Sequence, residues 1–326
     1  MAQTSPAAQP SEPAADILTP LIESWLRSLR AANKAAGTVK VYERSARGFA
    51  RYLPSYVPEQ GAQPTPKDVG DIDRDHIEPY ITAMLTAGLK ASANQQFRSL
   101  KTFFNWLVEE EEINRSPMRN MKPPEVGETE VPVIPDDALR KLLKSCSGRD
   151  FESRRDMAIL MLFIDTGVRL SELTERQVKH IDLDLMVFHV LGKGDRQRAV
   201  PFGRQAAQAI DRYLRAYAKH IKRPLDPEGS DPLWIGIKSR RPFTISGVGA
   251  MVERRAAACG VPHIHPHQFR HTFAHQWKLN GGNEDALMRI TGWRSREMLG
   301  RYGASAAVER ARQEHRDLSP GDRLNG

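Results

Sequence analysis

The feature that most constrains the fold is a proline-rich stretch near the middle of the chain, MKPPEVGETEVPVIP at residues 121–135. It contains four prolines and one glycine and has no helical period, which predicts an extended linker between two domains. A chain of 326 residues is long enough for each domain to bury its own core. We therefore predict a disordered tail at residues 1–15, a helical domain at 16–120, the linker at 121–135, a second domain at 136–316 and a flexible tail at 317–326.

The segment before the linker has the periodicity of helices throughout. Apolar residues recur at three- and four-residue spacing, which predicts four amphipathic helices in a bundle. We expect Gly37 and Thr38 to form the capping turn of the second helix. Gly88 and a turn at Ala91 and Ser92 are expected to separate the third helix from the fourth. The four helical stretches are LTPLIESWLRSLRAA, TVKVYERSARGFARYL, DRDHIEPYITAMLTAGL and SANQQFRSLKTFFNWLVEEEEI.

The segment after the linker combines helices with one hairpin. Asp136 and Asp137 are expected to cap ALRKLLKSC, and the apolar density of SRRDMAILMLFIDTG predicts a buried helix that ends at Gly167. LMVFHVL and RQRAVPF alternate apolar and polar residues around Gly-Lys-Gly-Asp, which predicts a two-stranded hairpin with Lys193 at its tip. Further helical patterns follow as far as SAAVERARQEHRDL. The predicted fold class is therefore mainly α with a small β-hairpin, in which an α+β domain follows a helical bundle.

Residues 266–302, PHQFRHTFAHQWKLNGGNEDALMRITGWRSREMLGRY, contain the side chains best suited to chemistry. His267 and Arg270 stand three residues apart, so a helix would project both from one face. Trp293 and Tyr302 follow in a helix-and-turn pattern that glycines interrupt. Each of these residues taken singly has an ordinary structural explanation, such as a core tyrosine or a charge at a helix end. Only their order and spacing carry functional information.

In that order and spacing the chain resembles the tyrosine recombinases, the phage-integrase family. The family signature is a late H-x-x-R, then a His or Trp after Gly, then a nucleophilic Tyr nine residues beyond, and it is matched by His267–Arg270, the dipeptide at 292–293 and Tyr302. An earlier Arg followed by S-E-L is matched by TGVRLSEL, with Arg169. A Lys in a hairpin is matched by LGKGDRQRAVPF, with Lys193. The resemblance implies a SAM-like core-binding domain ahead of a catalytic domain.

The resemblance also implies a site-specific recombinase that cuts and rejoins DNA. Two arginines would hold the phosphate, because a guanidinium stays charged and matches the geometry of phosphate oxygens. The tyrosine would form a 3′-phosphotyrosyl link that retains the phosphodiester energy, so rejoining would need no ATP, no metal and no cofactor. His267 would accept the tyrosine proton, and Lys193 would protonate the leaving oxygen. The implied catalytic set is Arg169, Lys193, His267, Arg270, Trp293 and Tyr302.

A net charge of +8 and a pI near 9.5 suit a protein that binds a polyanion. The resemblance implies double-stranded DNA with inverted repeats and a homotetramer on that DNA, and it leaves open an accessory protein or a second recombinase. No apolar run reaches the length of a membrane span, so we expect a cytoplasmic, nucleoid-associated protein in which Cys146 and Cys259 stay reduced. The bundle's basic residues, which either contact phosphates or form a solvated helix face, are Lys34, Lys40, Arg44, Arg47, Arg98 and Lys101.

Several alternatives stay open at the level of sequence. The chain could keep the fold and bind specific DNA without cutting it, or it could be a telomere resolvase or a topoisomerase of similar chemistry. Among recombinases, a phage integrase, a Xer-like resolvase and a transposon recombinase are not distinguished. The last helix either docks into a neighbouring protomer, as the resemblance implies, or packs on its own domain. His271 and His275 have the spacing of zinc ligands, but there is no HExxH motif and we expect no metal site.

Overall fold

The computed structural model describes residues 17–324, apart from 60, 126, 128–131, 193–195, 227, 239 and 262, and for residues 196, 301–305, 313, 317 and 323 it describes no side chain. The tail predicted at residues 1–15 lies outside this description. The chain divides into two compact units after Gly127, and each unit has a hydrophobic core of its own. Among the described residues, no helix combines the length and the apolar character that a membrane span requires.

Over its described residues, the first unit contains four α-helices around an aromatic core. Phe49 and Phe103 are fully buried, and Trp25 stacks on Tyr42 with 5.2 Å between the ring centroids. The apolar residues recur at helical spacing, so each helix buries one stripe against the others. The helices are α1 (Thr19–Ala31), α2 (Ala36–Tyr52), α3 (Arg74–Thr86) and α4 (Lys90–Glu109), with short 3-10 turns at Leu53–Ser55 and Val69–Asp71.

In this unit the predicted turns at residues 37–38 and 91–92 are wrong, whereas the predicted break at Gly88 is confirmed. Helix α2 begins at Ala36, so residues 37–38 lie inside its first turn and no side chain caps it. The chain reverses at Gly88, whose φ is +76°, and Leu89 is already the N-cap of α4. Residues 91–92 therefore belong to α4. A single glycine in the left-handed region makes the whole reversal, and the polar residues nearby are not needed for it.

The second unit is an α+β domain with a small antiparallel sheet in the order β1-β2-β3. The predicted fold class, mainly α with a small sheet, is confirmed. Its elements are α5 (Asp136–Lys144), α6 (Phe151–Thr166), α7 (Leu170–Thr174), β1 (Ile181–Asp182), β2 (Val187–Gly192), β3 (Arg196–Pro201), α8 (Arg204–Ile221), α9 (Ile245–Ala258), α10 (Pro266–Leu279), α11 (Glu284–Thr291), α12 (Arg296–Leu318) and α13 (Pro320–Arg323), with a 3-10 turn at Val178–His180.

Helix α6 is the central element of this unit. Asp150 caps it by accepting a hydrogen bond from the backbone N–H of Ser153 at 2.9 Å. Apolar residues occur on all sides of the helix, and most of its side chains are buried. The buried Asp156 accepts hydrogen bonds from Arg155 and Arg255, which fixes α6 against α9. The predicted helix end at Gly167, in the left-handed conformation, is confirmed.

Three local predictions for the second unit differ from the structure. A third strand, Ile181–Asp182, pairs with β2 opposite Phe188, and two residues are too few for alternation to be visible. The predicted N-cap pair at 136–137 lies in the first turn of α5 behind Pro135, with no side-chain cap. The predicted start of the C-terminal tail at residue 317 falls within α12, which is one continuous helix from Arg296.

Candidate active site

The turn between α6 and α7 packs closely against α10. Gly167 ends α6 with φ +58°, and a Cβ at this position would lie 2.7 Å from the Phe273 side chain of α10. Only glycine therefore suits both the backbone conformation and the space. The chain then turns so that Arg169 becomes the N-cap of α7 in an extended conformation. The Arg169 side chain, 39% exposed, projects from this turn toward solvent.

Glu172 binds two arginines from different elements. Its Oε2 accepts the backbone N–H of Arg169 at 2.9 Å, and its Oε1 accepts Nη1 of Arg169 at 2.7 Å. Arg198 of β3 donates Nη1 to Oε1 at 2.9 Å and Nη2 to Oε2 at 2.8 Å. Burial works to raise the pKa of Glu172, but the hydrogen bonds from Arg198 and from the Arg169 backbone outweigh it and lower the pKa to about 2. Glu172 therefore pairs as a carboxylate with both guanidinium groups.

Arg270, on α10, connects the same turn to the end of α11. Its side chain is 1% exposed. Nη1 donates to the carbonyl oxygen of Gly167 at 2.9 Å, and Nη2 donates to the carbonyl oxygen of Thr291 at 2.6 Å. Its guanidinium carbon also lies 5.1 Å from the centroid of the Trp293 ring, a distance at which a cation is attracted to the π face. Arg270 therefore joins two segments that are far apart in sequence.

His267 stands one helical turn before Arg270 on α10. Its ring lies 5.0 Å from that of His271, edge to face. The residue as a whole is exposed, yet partial burial of its imidazole lowers the pKa of His267, and the positive charges of Arg270 and Arg169 lower it further. The imidazole is therefore neutral at pH 7, the form that can accept a proton.

Trp293 follows the left-handed end of α11. Gly292 has φ +70°, and a Cβ there would lie 3.1 to 3.3 Å from the guanidinium of Arg198. Trp293 is 6% exposed and packs with Leu287 and Leu299 in a small cluster beside the main core. The indole therefore packs with this apolar cluster and also lies close to the guanidinium of Arg270.

The structure brings together four of the six predicted catalytic residues, namely Arg169, His267, Arg270 and Trp293. Lys193 lies outside the described residues, between the end of β2 at Gly192 and the start of β3 at Arg196. Tyr302 falls within α12, but its side chain also lies outside the described residues. The contacts of these two side chains therefore stay predictions.

Arg198 also belongs to this cluster, through its two hydrogen bonds to Glu172, and it was not predicted from the sequence. A signal was present, because Arg198 lies two residues before Val200 and therefore on the same face of β3, and Val200 is fully buried. An arginine on the inward face of a strand needs a partner for its charge. That partner, Glu172, is 26 positions earlier in the chain, so no local pattern identifies it.

The basic residues predicted to contact DNA differ in their surroundings. Arg47 forms ion pairs with Glu23 and Glu43, so a phosphate would have to compete with two carboxylates. The Nζ of Lys101 donates to the Met121 carbonyl oxygen at 3.4 Å and lies 5.8 Å from the Phe97 ring centroid. The exposed members of the set are Lys34, Lys40, Arg44 and Arg98.

The two histidines considered as zinc ligands are buried in α10. His275 Nε2 lies 3.3 Å from a carboxylate oxygen of Glu309 on α12, and His271 contacts His267. Within the described part of the chain, no group of three or more histidine, cysteine, aspartate or glutamate side chains is arranged to hold a metal ion.

Models of two protein families match this chain, one for each unit. Residues 132–309 match the phage integrase family, and residues 21–113 match the phage integrase N-terminal SAM-like domain. The chain therefore belongs to the phage integrase family. The predicted resemblance to the tyrosine recombinases is confirmed, and so is the predicted enzyme class, a tyrosine-type site-specific DNA recombinase.

Curated relatives carry the names of such enzymes. Tyrosine recombinase XerC of Staphylococcus carnosus is 28% identical over 228 residues, which are 68% of this chain and 74% of the relative. Tyrosine recombinase XerD of Listeria monocytogenes is 26% identical over 275 residues, which are 83% of this chain and 89% of the relative.

This chain is also similar in fold to solved structures of recombinases and integrases. XerH recombinase bound to a palindromic difH substrate has a TM-score of 0.67 at 17% identity and covers 92% of this chain and 84% of its own. A lambda integrase tetramer bound to a Holliday junction has a TM-score of 0.66 at 16% identity, over 88% of this chain and 77% of its own. At these identities the likeness establishes the fold alone.

Proposed function

We propose that this recombinase cuts one DNA strand by attack of Tyr302 on a phosphodiester. The bond from the tyrosine oxygen to phosphorus forms, and the bond from phosphorus to the 5′ oxygen breaks. The product is a 3′-phosphotyrosyl link with a free 5′-hydroxyl, and the reverse reaction rejoins a strand without ATP. The observation that carries this proposal is the convergence of Arg169, Arg270 and His267 at the α6–α7 turn.

In this proposal Arg169 and Arg270 stabilise the charge that develops on the phosphate oxygens. A planar guanidinium can donate two hydrogen bonds to one phosphate and stays protonated at any relevant pH. Arg169 projects to solvent, whereas Arg270 is 1% exposed. The proposal therefore requires that DNA binding uncovers part of the Arg270 guanidinium.

The proton transfers fall to His267 and Lys193. A tyrosine has an ordinary pKa near 10, so a base must take its proton for attack at pH 7. The lowered pKa of His267 keeps the imidazole neutral and supports its role as that base. Lys193 would give a proton to the 5′ oxygen, and the Trp293 indole N–H would donate to a phosphate oxygen without transferring its proton.

We further propose that the enzyme acts as a homotetramer on double-stranded DNA with inverted repeats. A similar fold occurs in a lambda integrase tetramer on a Holliday junction and in XerH on a palindromic site. Two-fold related DNA half-sites suit two copies of one chain. An accessory protein or a second recombinase stays an open alternative, as does the choice between integration, excision and resolution.

Covalent trapping tests the proposed chemistry. Wild type and Tyr302→Phe are incubated with nicked duplexes from the DNA that flanks the gene, with a chelator present, and then denatured. We expect a protein–DNA adduct with wild type only, and DNA affinity of the variant within about threefold of wild type, because loss of a hydroxyl removes no phosphate clamp.

Tyr217→Phe is the matched control. Tyr217 lies in the same unit and is buried, so the substitution removes a tyrosine hydroxyl away from the proposed site and should leave the adduct unchanged. An adduct formed by Tyr302→Phe would contradict the assignment of the nucleophile. A band shift on a native gel without any adduct in wild type would favour a protein that binds DNA without cutting it.

A further inference from the structure

All three nitrogen atoms of the Arg198 guanidinium donate hydrogen bonds. Both terminal nitrogens bind Glu172, one on each carboxylate oxygen, at 2.9 and 2.8 Å. The third nitrogen, Nε, donates to the carbonyl oxygen of Ile290 at 2.9 Å. The side chain is 14% exposed, and Gly292 leaves just enough space for it. Three directed hydrogen bonds fix the plane of the guanidinium and therefore the distance between its partners.

The partners of Arg198 are also the partners of the two proposed phosphate-binding arginines. Glu172 holds the backbone and the side chain of Arg169. Ile290 precedes Thr291, whose carbonyl oxygen accepts Arg270. Arg270 in turn donates to Gly167, two residues before Arg169. The hydrogen bonds thus form a closed ring from Glu172 through Arg198, the end of α11, Arg270 and the α6–α7 turn back to Glu172.

We propose that Arg198 is a positioning residue that holds the Arg169 turn and the end of α11 at a fixed distance, and so aligns Arg169 with Arg270. The inference rests on the proposed function in one respect, because the aligned arginines matter only if they bind the reacting phosphate. Arg198 also belongs to β3, which begins at Arg196, and β3 pairs with β2 along its length. The same side chain therefore anchors this pair of strands to the ring.

A direct contact of Arg198 with DNA is the competing role, and the two roles predict different losses. A positioning residue acts on the rate of the chemical step, since a displacement of about 1 Å in a catalytic group costs about 100-fold. A phosphate contact acts on affinity and lowers the slope of log affinity against log salt by about one. Lysine would replace a phosphate contact as a point charge, but it lacks the fork that binds both oxygens of Glu172.

The experiment compares wild type, Arg198→Ala and Arg198→Lys in three measurements: amide hydrogen exchange at residues 169–172 and 290–293, DNA affinity, and the single-turnover cleavage rate at saturating DNA. For both variants we expect at least about tenfold faster exchange in both segments, affinity within about threefold of wild type, and cleavage slower by about 100-fold. Arg223→Ala is the control, because Arg223 forms a two-point pair with Asp231 at the surface and should change none of these three quantities.

Gly292→Ala tests the same ring without touching an arginine. Its Cβ would lie 3.1 Å from Nη1 of Arg198, whereas a Cβ at Gly281, which has a similar φ of +74°, meets nothing within 4 Å. Gly281→Ala therefore has the backbone strain without the crowding. We expect Gly292→Ala to slow cleavage by at least about tenfold more than Gly281→Ala, by displacement of a catalytic group.

The outcomes separate this inference from the proposed function. Unchanged exchange in Arg198→Ala overturns the inference even if wild type cuts no DNA, because exchange needs no activity. Cleavage at the wild-type rate with weakened affinity, or full rescue by lysine, assigns Arg198 to DNA contact and also overturns it. Suppose that exchange is faster in Arg198→Ala but wild type forms no adduct. This result would support the role of Arg198 in the ring and would contradict the proposed cleavage by Tyr302.

Discussion

Glu172 is a carboxylate that is 4% exposed and lies between two guanidinium groups. An isolated buried carboxylate would be protonated, because burial disfavours the charged form. Here four hydrogen bonds and two positive charges reverse that preference, and the pKa falls to about 2. The carboxylate is therefore charged wherever the protein is folded at moderate pH, and Arg169 and Arg198 are held by a charge rather than by a neutral acceptor.

Acid unfolding should reveal the contribution of Glu172. A fall of the pKa from 4.5 to about 2 corresponds to about 3 kcal/mol of stability. Because the folded pKa lies below the unfolded one, this stabilisation is complete above about pH 4.5 and disappears as the pH falls toward 2. We expect Glu172→Gln to be less stable by about 3 kcal/mol at pH 7, with the difference closing toward pH 2, in urea unfolding at several pH values.

The other carboxylates with lowered pKa values, such as Asp150 and Asp231, are present in both proteins, so the difference between them isolates Glu172. A difference in unfolding free energy that stays constant from pH 7 to pH 2 would contradict the assignment. It would mean that the Glu172→Gln variant loses packing or hydrogen-bond geometry, rather than a charge that the two arginines stabilise.

Site residues that lie close together in the sequence were predicted, whereas Arg198, whose partners are distant in the sequence, was not. His267 and Arg270 share one helical turn, so a motif of four residues identifies both. Arg198 acquires its role from Glu172 and from Ile290, which are 26 and 92 positions away. Such contacts arise only after α7, β3 and α11 have packed together, and no single segment contains the information.

Helix α12 is the element whose placement matters most for the proposed nucleophile. It runs without interruption from Arg296 to Leu318 and therefore includes Tyr302. In this chain it packs on α10 of the same unit, with Ala306 fully buried and Glu309 close to His275. Any change that shifts α12 along or away from α10 therefore shifts the backbone that carries Tyr302.

Two adjacent alanines allow this to be tested with the same substitution. Ala306 is buried and Ala307 is exposed, and α12 packs on α10. Ala306→Leu therefore adds three carbons at a buried position of α12, whereas Ala307→Leu adds them on the solvent side. We expect Ala306→Leu to lower the free energy of unfolding by about 1 to 3 kcal/mol and the cleavage rate by at least about tenfold, and Ala307→Leu to change stability by less than about 0.5 kcal/mol.

Urea unfolding and single-turnover cleavage measure both quantities on the same preparations. Equal effects of the two substitutions would contradict the packing of α12 on α10. Loss of stability in Ala306→Leu with an unchanged cleavage rate would mean that the position of Tyr302 does not depend on this contact.

Among the elements, the long amphipathic helices and the hairpin strands were predictable, and the short or strained connections were not. Helix α6 was identified because its apolar density and its terminal Gly167 are both visible in the sequence. Strand β1 has two residues and forms only because β2 offers it an edge. The break before α4 was correctly placed at Gly88, but the sequence did not show that this single left-handed residue is sufficient. Residues 91–92 were therefore assigned to a turn although they belong to α4.

The protein consists of two compact units, each with its own hydrophobic core. The whole chain has a net charge of +8. Because each unit has a core of its own, we expect each to fold alone. When both units contact one DNA molecule, the second contact is intramolecular, and its effective concentration is set by the linker. The DNA affinity of the intact chain should then exceed that of either unit without any additional contact.

A protease site inserted between Gly127 and Pro132, within the predicted linker, tests this expectation in one preparation. Before cleavage we expect the protein to bind its DNA at least about 100-fold more tightly than after cleavage, because cutting converts a linked pair into two independent binders. Both measurements are made at one salt concentration, since affinity for DNA falls steeply with salt. The same protein treated with inactivated protease is the control, and circular dichroism before and after cutting verifies that both halves stay folded. An affinity that cutting leaves unchanged would mean that a single unit holds the DNA, and the basic residues of the other unit would then belong to a solvated helix face.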